Sequence, residues 1–130
     1  MKGIDKGVYL LVIYLSKSRF IKVGRLGGIR FPRGVYVYVG RARRALRARL
    51  NRHCRRSKRL RWHIDYLTSH RDASLARIYT FSKGDECKLA RDITKIPGAT
   101  IVANRFGASD CKNQCQGHLI LFPVSQRDPI

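Results

Sequence analysis

The sequence predicts a single mixed α/β domain built around one core. β-Branched and aromatic runs alternate with runs of helical period, the pattern of strands and helices packed in layers. The 130 residues show no internal repeat and no linker. Apolar residues make up 44% of the chain, an ordinary share for a globular domain. This length leaves room for one hydrophobic core. We place the domain at residues 1–125, with residues 126–130 as a frayed tail.

Residues 8–15 are β-branched and aromatic and read as a buried strand. Residues 20–24 read as a second strand, joined to the first by the polar turn 16–19 as an antiparallel hairpin. Gly27-Gly28 and Pro32 break the chain. Residues 35–39 form a third strand, and Tyr36 and Tyr38, two apart, project from the same face. Residues 41–56 are the clearest helix, with Ala42, Leu46 and Leu50 at core-facing spacing. A second helix covers 61–70, where Trp62, Ile64 and Leu67 supply apolar surface. Residues 75–81 are a strand. Gly84 and Asp85 open a third helix running to Ile96, with Asp85 and Glu86 in the first turn, where the helix dipole favours acids. Pro97-Gly98 stops it. Residues 100–103 and 118–122 are the last strands, separated by a polar, Cys-bearing loop over 104–117.

The charge narrows the partner. Twenty-eight basic residues face eight acidic ones, a net charge of +20 and a pI near 11. Self-repulsion on this scale destabilises the compact state unless a polyanion neutralises it, so nucleic acid is the expected partner. A membrane surface is the rival, but no long amphipathic apolar face accompanies the charge. No run approaches the ~18 apolar residues of a membrane span. The first apolar run lacks the small-residue cleavage site of a signal peptide. The expected location is therefore cytoplasmic, and the four Cys are expected as thiols or metal ligands rather than disulfides. The strands show no exposed apolar edge, which together with the charge favours a monomer.

From Arg41 to Arg61 there are eleven basic residues and no acid. Charge runs commonly form a solvated face. With no acid to offset this one, phosphate contact is the better reading for Arg41, Arg43, Arg44, Arg47, Arg52, Arg55 and Arg56. Such contacts position a nucleic acid without reading its bases.

Tyr9, Tyr38, Arg49 and Glu86 are the residues suited to cutting a phosphodiester. Tyrosine hydroxyls can position or deprotonate water if neighbouring cations lower their pKa. An arginine fork matches phosphate. One carboxylate can hold Mg²⁺ through water and substrate oxygens. Glu86 is the only glutamate in the chain. Arg49 and His53, four apart, share one helical face. The alternative is that the tyrosines only pack and that Arg49 is one solvated charge among many.

The order Gly7-Val8-Tyr9, Tyr38-Val39-Gly40, Arg49, Glu86 resembles the GIY-YIG nuclease superfamily. Three further blocks resemble its compact, single-domain Uri-type branch: Trp62-His63-Ile64-Asp65-Tyr66-Leu67, then Glu86-Cys87-x-Leu89-Ala90, then Phe106-Gly107-Ala108-Ser109-Asp110-Cys111 ending in His118-Leu119. The resemblance runs from Gly7 to about Phe122. It implies a small central three-stranded antiparallel sheet flanked by helices, here with an additional C-terminal strand. It implies metal-dependent hydrolysis of DNA. Tyr9 would act as general base or water positioner, Tyr38 would support nucleophile and phosphate, Arg49 would stabilise transition-state charge, and Glu86 would carry one Mg²⁺ or Mn²⁺. His53 matches a histidine used by some members. The span between the two tripeptides exceeds that of compact members, and an inserted hairpin accommodates it. The superfamily's late asparagine has a candidate in Asn104, while Ser109 or Asp110 stands at the polar position of the Uri-type block.

Other candidates surround this set. His63 and Asp65 either extend the site or, with Trp62 and Tyr66 anchoring a short helix, serve packing, which is the better reading for Asp65. Cys111, Cys115 and His118 resemble half of a zinc site, with Cys87 as a possible fourth ligand; burial as plain thiols is the alternative. Cys54 has no partner in the sequence. Two functions remain: a metal-dependent endonuclease acting on DNA, or a non-catalytic module on the same fold that binds DNA or structured RNA.

Overall fold

The structure is a computed structural model and describes residues 5–102, 106 and 117–124. It is a small α+β domain, with a five-stranded antiparallel sheet, a two-stranded ribbon and three helices among the described residues. The strands are β1 (Gly7–Leu15), β2 (Arg19–Val23), β3 (Gly27–Phe31), β4 (Gly34–Ala42), β5 (Ala73–Phe81), β6 (Thr100–Ile101) and β7 (Leu119–Pro123). The helices are α1 (Leu46–Cys54), α2 (His63–Thr68) and α3 (Glu86–Thr94). The large sheet runs β5-β1-β4-β7-β6. Its antiparallel centre, β5-β1-β4, is extended by the C-terminal strand β7 and by β6.

Side-chain alternation gives this sheet two working faces. Tyr9, Leu11, Ile13 and Leu15 of β1 and Tyr36 and Tyr38 of β4 point into the larger core. There they meet Ile64 and Leu67 of α2, with Leu46 and Leu50 of α1 packed against them. Val8, Val39 and Ile120 point the other way, onto Ala90 and Ile93 of α3. Among the described residues, no helix is long and apolar enough to cross a membrane.

Several sequence expectations change. The second strand does not pair with the first. β1 is paired along its length by β4 on one side and β5 on the other, so no edge is left for β2. β2 instead pairs with β3 as a separate ribbon. Gly27-Gly28 therefore lies within a strand, and Phe20 packs over Gly28, where a Cβ would stand 2.2 Å from its ring. This ribbon occupies the span between the two tripeptides.

The long helix expected over 41–56 is shorter. Arg41 and Ala42 pair with Val8 and Gly7 as the end of β4. Ala45 then turns the chain at φ 55° before α1 begins. Ala45 offers no side-chain cap; the cap comes from Asp5, whose backbone carbonyl accepts from the Leu46 N–H at 3.1 Å and whose carboxylate accepts from the Arg47 N–H at 2.9 Å. The third helix starts as expected: the Asp85 side chain accepts from the N–H groups of Cys87 and Lys88.

The expectation of no exposed apolar edge also fails. β5 is an edge strand, and Ile78, Tyr79 and Phe81 on it are exposed.

Candidate active site

The two tripeptides lie on neighbouring strands because β1 and β4 pair with Tyr9 opposite Gly40. Both glycines of the pattern have steric causes. A Cβ on Gly40 would stand 2.3 Å from the Tyr9 ring, so the ring occupies the space that glycine leaves. Gly7 holds φ 150°, and a Cβ there would meet the Phe81 carbonyl oxygen at 2.2 Å. Gly40→Ala is therefore expected to overpack the site, at a cost of about 1–3 kcal/mol, and to push Tyr9 from its position. Urea unfolding of the variant checks the first part. An unchanged midpoint would show that the ring can step aside freely.

The Tyr9 hydroxyl and His53 Nε2 are 2.8 Å apart in a buried hydrogen bond. Tyr38 lies beside both, its ring centroid 6.4 Å from that of Tyr9 and 6.4 Å from that of His53. On the far side of His53 stands Trp62, at 5.7 Å. Trp62 is a platform for three guanidinium groups, with the Arg49, Arg52 and Arg61 Cζ atoms 4.7, 4.4 and 5.2 Å from its ring centroid. Arg49 also donates to the Arg41 carbonyl at 2.6 Å, which ties α1 to the end of β4.

Glu86 comes from the first turn of α3 and is half-buried. Its carboxylate lies 3.7 Å from Nδ1 of His118, the residue just before β7. Tyr38 pairs with Leu119, so His118 and Glu86 stand at the same end of the sheet as the tyrosines. The charges of Glu86 and Arg49 both act on Tyr9 and on Tyr38. The structure thus brings Tyr9, Tyr38, His53, Arg49 and Glu86 into one electrostatic neighbourhood.

The phenols are not activated in the way a neighbouring cation suggests. Burial pushes Tyr9 up to about 12, and the opposing pull of Arg49 does not offset it. Burial raises Tyr38 as well, with the neighbouring Tyr9 and Glu86 adding to the effect. Both tyrosines are neutral at pH 7. A lowered tyrosine pKa, the expectation for a deprotonating base, is therefore corrected: desolvation outweighs the arginine.

Burial and the Lys58 charge lower His53 from 6.5 to about 4. Its Nδ1 is buried with no hydrogen-bond partner among the described residues. The unfolded chain takes up a proton at this ring below about pH 6.5, and the folded chain does so only near pH 4. Stability contributed by the neutral ring is therefore present above that range and is lost as pH falls through it, by up to about 3 kcal/mol. Urea midpoints between pH 8 and pH 4 should fall more steeply for the wild type than for His53→Gln. Parallel pH profiles would contradict the buried neutral ring.

Arg52 is not available for phosphate. Its fork donates to both Asp65 carboxylate oxygens at 2.8 Å and to the Arg59 carbonyl at 2.6 Å. Asp65 is fully buried and also accepts from the Arg61 and Trp62 N–H groups, each at 2.8 Å. Burial works to raise the Asp65 carboxyl, but the Arg52 fork and these N–H groups outweigh it and hold it below the ordinary aspartate value. Asp65 therefore serves structure, in line with its packing reading. Arg41, Arg43, Arg44, Arg47, Arg55 and Arg56 are exposed. Arg56 also donates to the Ala73 carbonyl at 2.7 Å.

The His63 ring packs against Phe106, at 5.5 Å between centroids. Of the zinc candidates, Cys87 Sγ and His118 Nε2 are 3.8 Å apart. Cys111 and Cys115 lie outside the described residues, as do Asn104, Ser109 and Asp110. Among the described residues, no group of three or more His, Cys, Asp or Glu is placed to hold a metal. Sequence reasoning missed two participants. Trp62 orders the guanidinium groups, and its being the chain's single tryptophan inside a basic run was the available signal. Asp5 caps α1 from forty-two residues away, which no local pattern signals.

Residues 8–129 match the family described as "Domain of unknown function DUF123". The chain belongs to the DUF123 family. That match spans nearly all of this DUF123 chain, from the first strand to the C-terminal tail. No curated protein matches it, and no solved structure does.

Proposed function

We propose that this domain is a metal-dependent endonuclease of GIY-YIG, Uri-like type, which hydrolyses phosphodiester bonds of DNA. The supporting observation is the convergence of Tyr9, Tyr38, His53, Arg49 and Glu86 at one end of the sheet, from β1, β4, α1 and α3. β1, β4 and α3 are far apart in sequence, and packing alone does not require these elements to carry this set.

Each residue has a task. Arg49, held against the Trp62 ring, presents a permanent charge to the phosphate as negative charge builds in the transition state. Neutral Tyr9 positions the attacking water through its hydroxyl. In the tautomer that leaves Nε2 of His53 as an acceptor, Tyr9 donates to it, which fixes the phenol and leaves its oxygen free to accept from the attacking water. Tyr38 packs beside both rings and limits their movement. A divalent ion fits only as a lightly held one: Glu86 supplies a single carboxylate, so water and substrate oxygens would complete the shell, as Mg²⁺ and Mn²⁺ permit. Such an ion would supply Lewis-acid stabilisation of the phosphate. The exposed arginines Arg41, Arg43, Arg44, Arg47, Arg55 and Arg56 hold the backbone.

A second reading has its own support. Tyr9 and Tyr38 are 2% and 8% exposed, which suits a pair that only packs. The domain would then be a non-catalytic module binding DNA or structured RNA. A cleavage panel separates the two: single-stranded, duplex, flapped and branched DNA and RNA, with Mn²⁺ and with chelator. Metal-dependent cutting that Glu86→Ala abolishes while binding persists supports the nuclease. Tight, salt-sensitive binding with no cutting on any substrate supports the module.

A further inference from the structure

We propose that the open face of the sheet at β5, carried by Tyr79 and Phe81 with Arg77, is a stacking platform for an unpaired stretch of nucleic acid. It lies on the face opposite Tyr9 and Tyr38. The register pairs Val8 with Phe81, Leu10 with Tyr79 and Val12 with Arg77, so these three side chains share the face of the even-numbered β1 residues. On that face α3 packs against β4 and β7. It leaves β5 open: Tyr79 is 50% exposed and Phe81 42%. Neither ring completes a core, and exposed aromatics two residues apart on a strand are uncommon without a partner.

Charge selects the occupant. No strand of the five-stranded sheet contains an acidic residue, while Arg77 stands on the same face of β5 and the chain carries +20. An aromatic pair beside arginine on an open sheet suits bases and phosphates together, because every base offers a π-face and stacking tolerates any sequence. Tyr79 and Phe81 lie roughly 6.8 Å apart along an antiparallel strand. Successive bases of an extended single strand can bridge that separation, whereas stacked bases inside a duplex cannot reach the rings.

The platform and α1, which carries the exposed Arg47, lie on different sides of the sheet, since Leu46 and Leu50 of α1 pack on the Tyr9 face. Arg41, opposite Val8 at the end of β4, shares the platform's face. A nucleic acid with duplex against α1 and an unpaired stretch beyond it can meet both. The platform does not depend on cleavage and holds for either function above.

Binding is measured by fluorescence anisotropy in chelator, at one fixed salt concentration, on oligothymidine, oligouridine and a blunt DNA duplex of equal length. Tyr79→Ala/Phe81→Ala should weaken binding to both single strands by roughly ten- to a hundred-fold. Duplex affinity should stay within about two-fold, because phosphate contacts alone govern it. Tyr79→Phe should keep single-strand affinity. In parallel, ultraviolet crosslinking of the wild-type protein to oligothymidine, followed by trypsin, should mark the peptide 78–83. Unchanged single-strand affinity, an equal loss on the duplex, or crosslinks that spare that peptide would each overturn the platform. So would a wild-type dimer that the double variant dissolves, because the face would then be a contact between two copies of the chain.

Discussion

Asp65→Ala is expected to lower stability by about 3–5 kcal/mol, the range for removing one partner from a buried ion pair. Asp65 is 0% exposed and satisfies four donors: two from the Arg52 fork and the N–H groups of Arg61 and Trp62. Deleting the carboxylate leaves the Arg52 charge without its counter-ion, and two backbone N–H groups at the start of α2 without an acceptor. A domain of this size has only about 5–15 kcal/mol of stability in all, so the variant should be close to unfolding. The damage should also reach the site, because Arg52 and Trp62 form the wall that Arg49 leans on. Urea unfolding at pH 7 measures the loss. A change below about 0.5 kcal/mol, as for an ordinary surface substitution, would mean that the ion pair is no strut. Asp65→Asn should fall between the two, because it keeps an acceptor for the backbone but loses the charge.

Glu86→Ala and Arg49→Ala are expected to reduce metal-dependent cleavage by at least about a hundred-fold each, the scale for removing one preorganised group that stabilises transition-state charge. Neither change should unfold the domain. The Glu86 side chain is 26% exposed, so its removal uncovers little of the core. Arg49 is half-buried, and the Arg41 carbonyl to which it donates can turn to water. Circular dichroism and urea midpoints therefore serve as controls, and DNA binding should persist in Glu86→Ala. Wild-type cutting rates in both variants would remove the proposed site altogether. Loss of cutting with equal loss of binding in Glu86→Ala would point instead to a role in holding the nucleic acid.

Much of the site was legible because its signals are local and chemical. A tyrosine after Gly7-Val8 and another before Val39-Gly40 sit in strand-like runs, and the Glu at the start of an α3-like segment is the only one available. Arg49 and His53 share a helical face by spacing alone. Less visible was the cost of placing these groups in a core. Adjacent arginines suggest a lowered tyrosine pKa, but the Tyr9 hydroxyl lies under His53, and burial wins. Arg52 looked like its neighbours in the basic run, yet its partner is thirteen residues on, and no pattern within α1 distinguishes it from Arg55.

The strands show the same division. That residues 8–15 and 35–39 form buried strands follows from their composition. Their pairing does not, since a strand exposes the same hydrogen-bonding groups on either edge whatever its side chains. The hairpin assigned to β1 and β2 was the nearest pairing in the chain, but β4 and β5 take both edges of β1. The exposed aromatic edge of β5 arises from the same choice.

By itself the sequence determined the net charge of +20, the glycines that the two tripeptides need and the residue types chemically able to meet a phosphate. Those properties reside in single residues or short spacings. Only the tertiary structure decided which arginines face solvent and which are held inside, which strand lies at the edge, and that Tyr9 meets His53 while Tyr79 and Phe81 face away from it. Each of these is settled by a neighbour remote in sequence, through a hydrogen bond or a packed ring that exists only once the sheet has closed around its core.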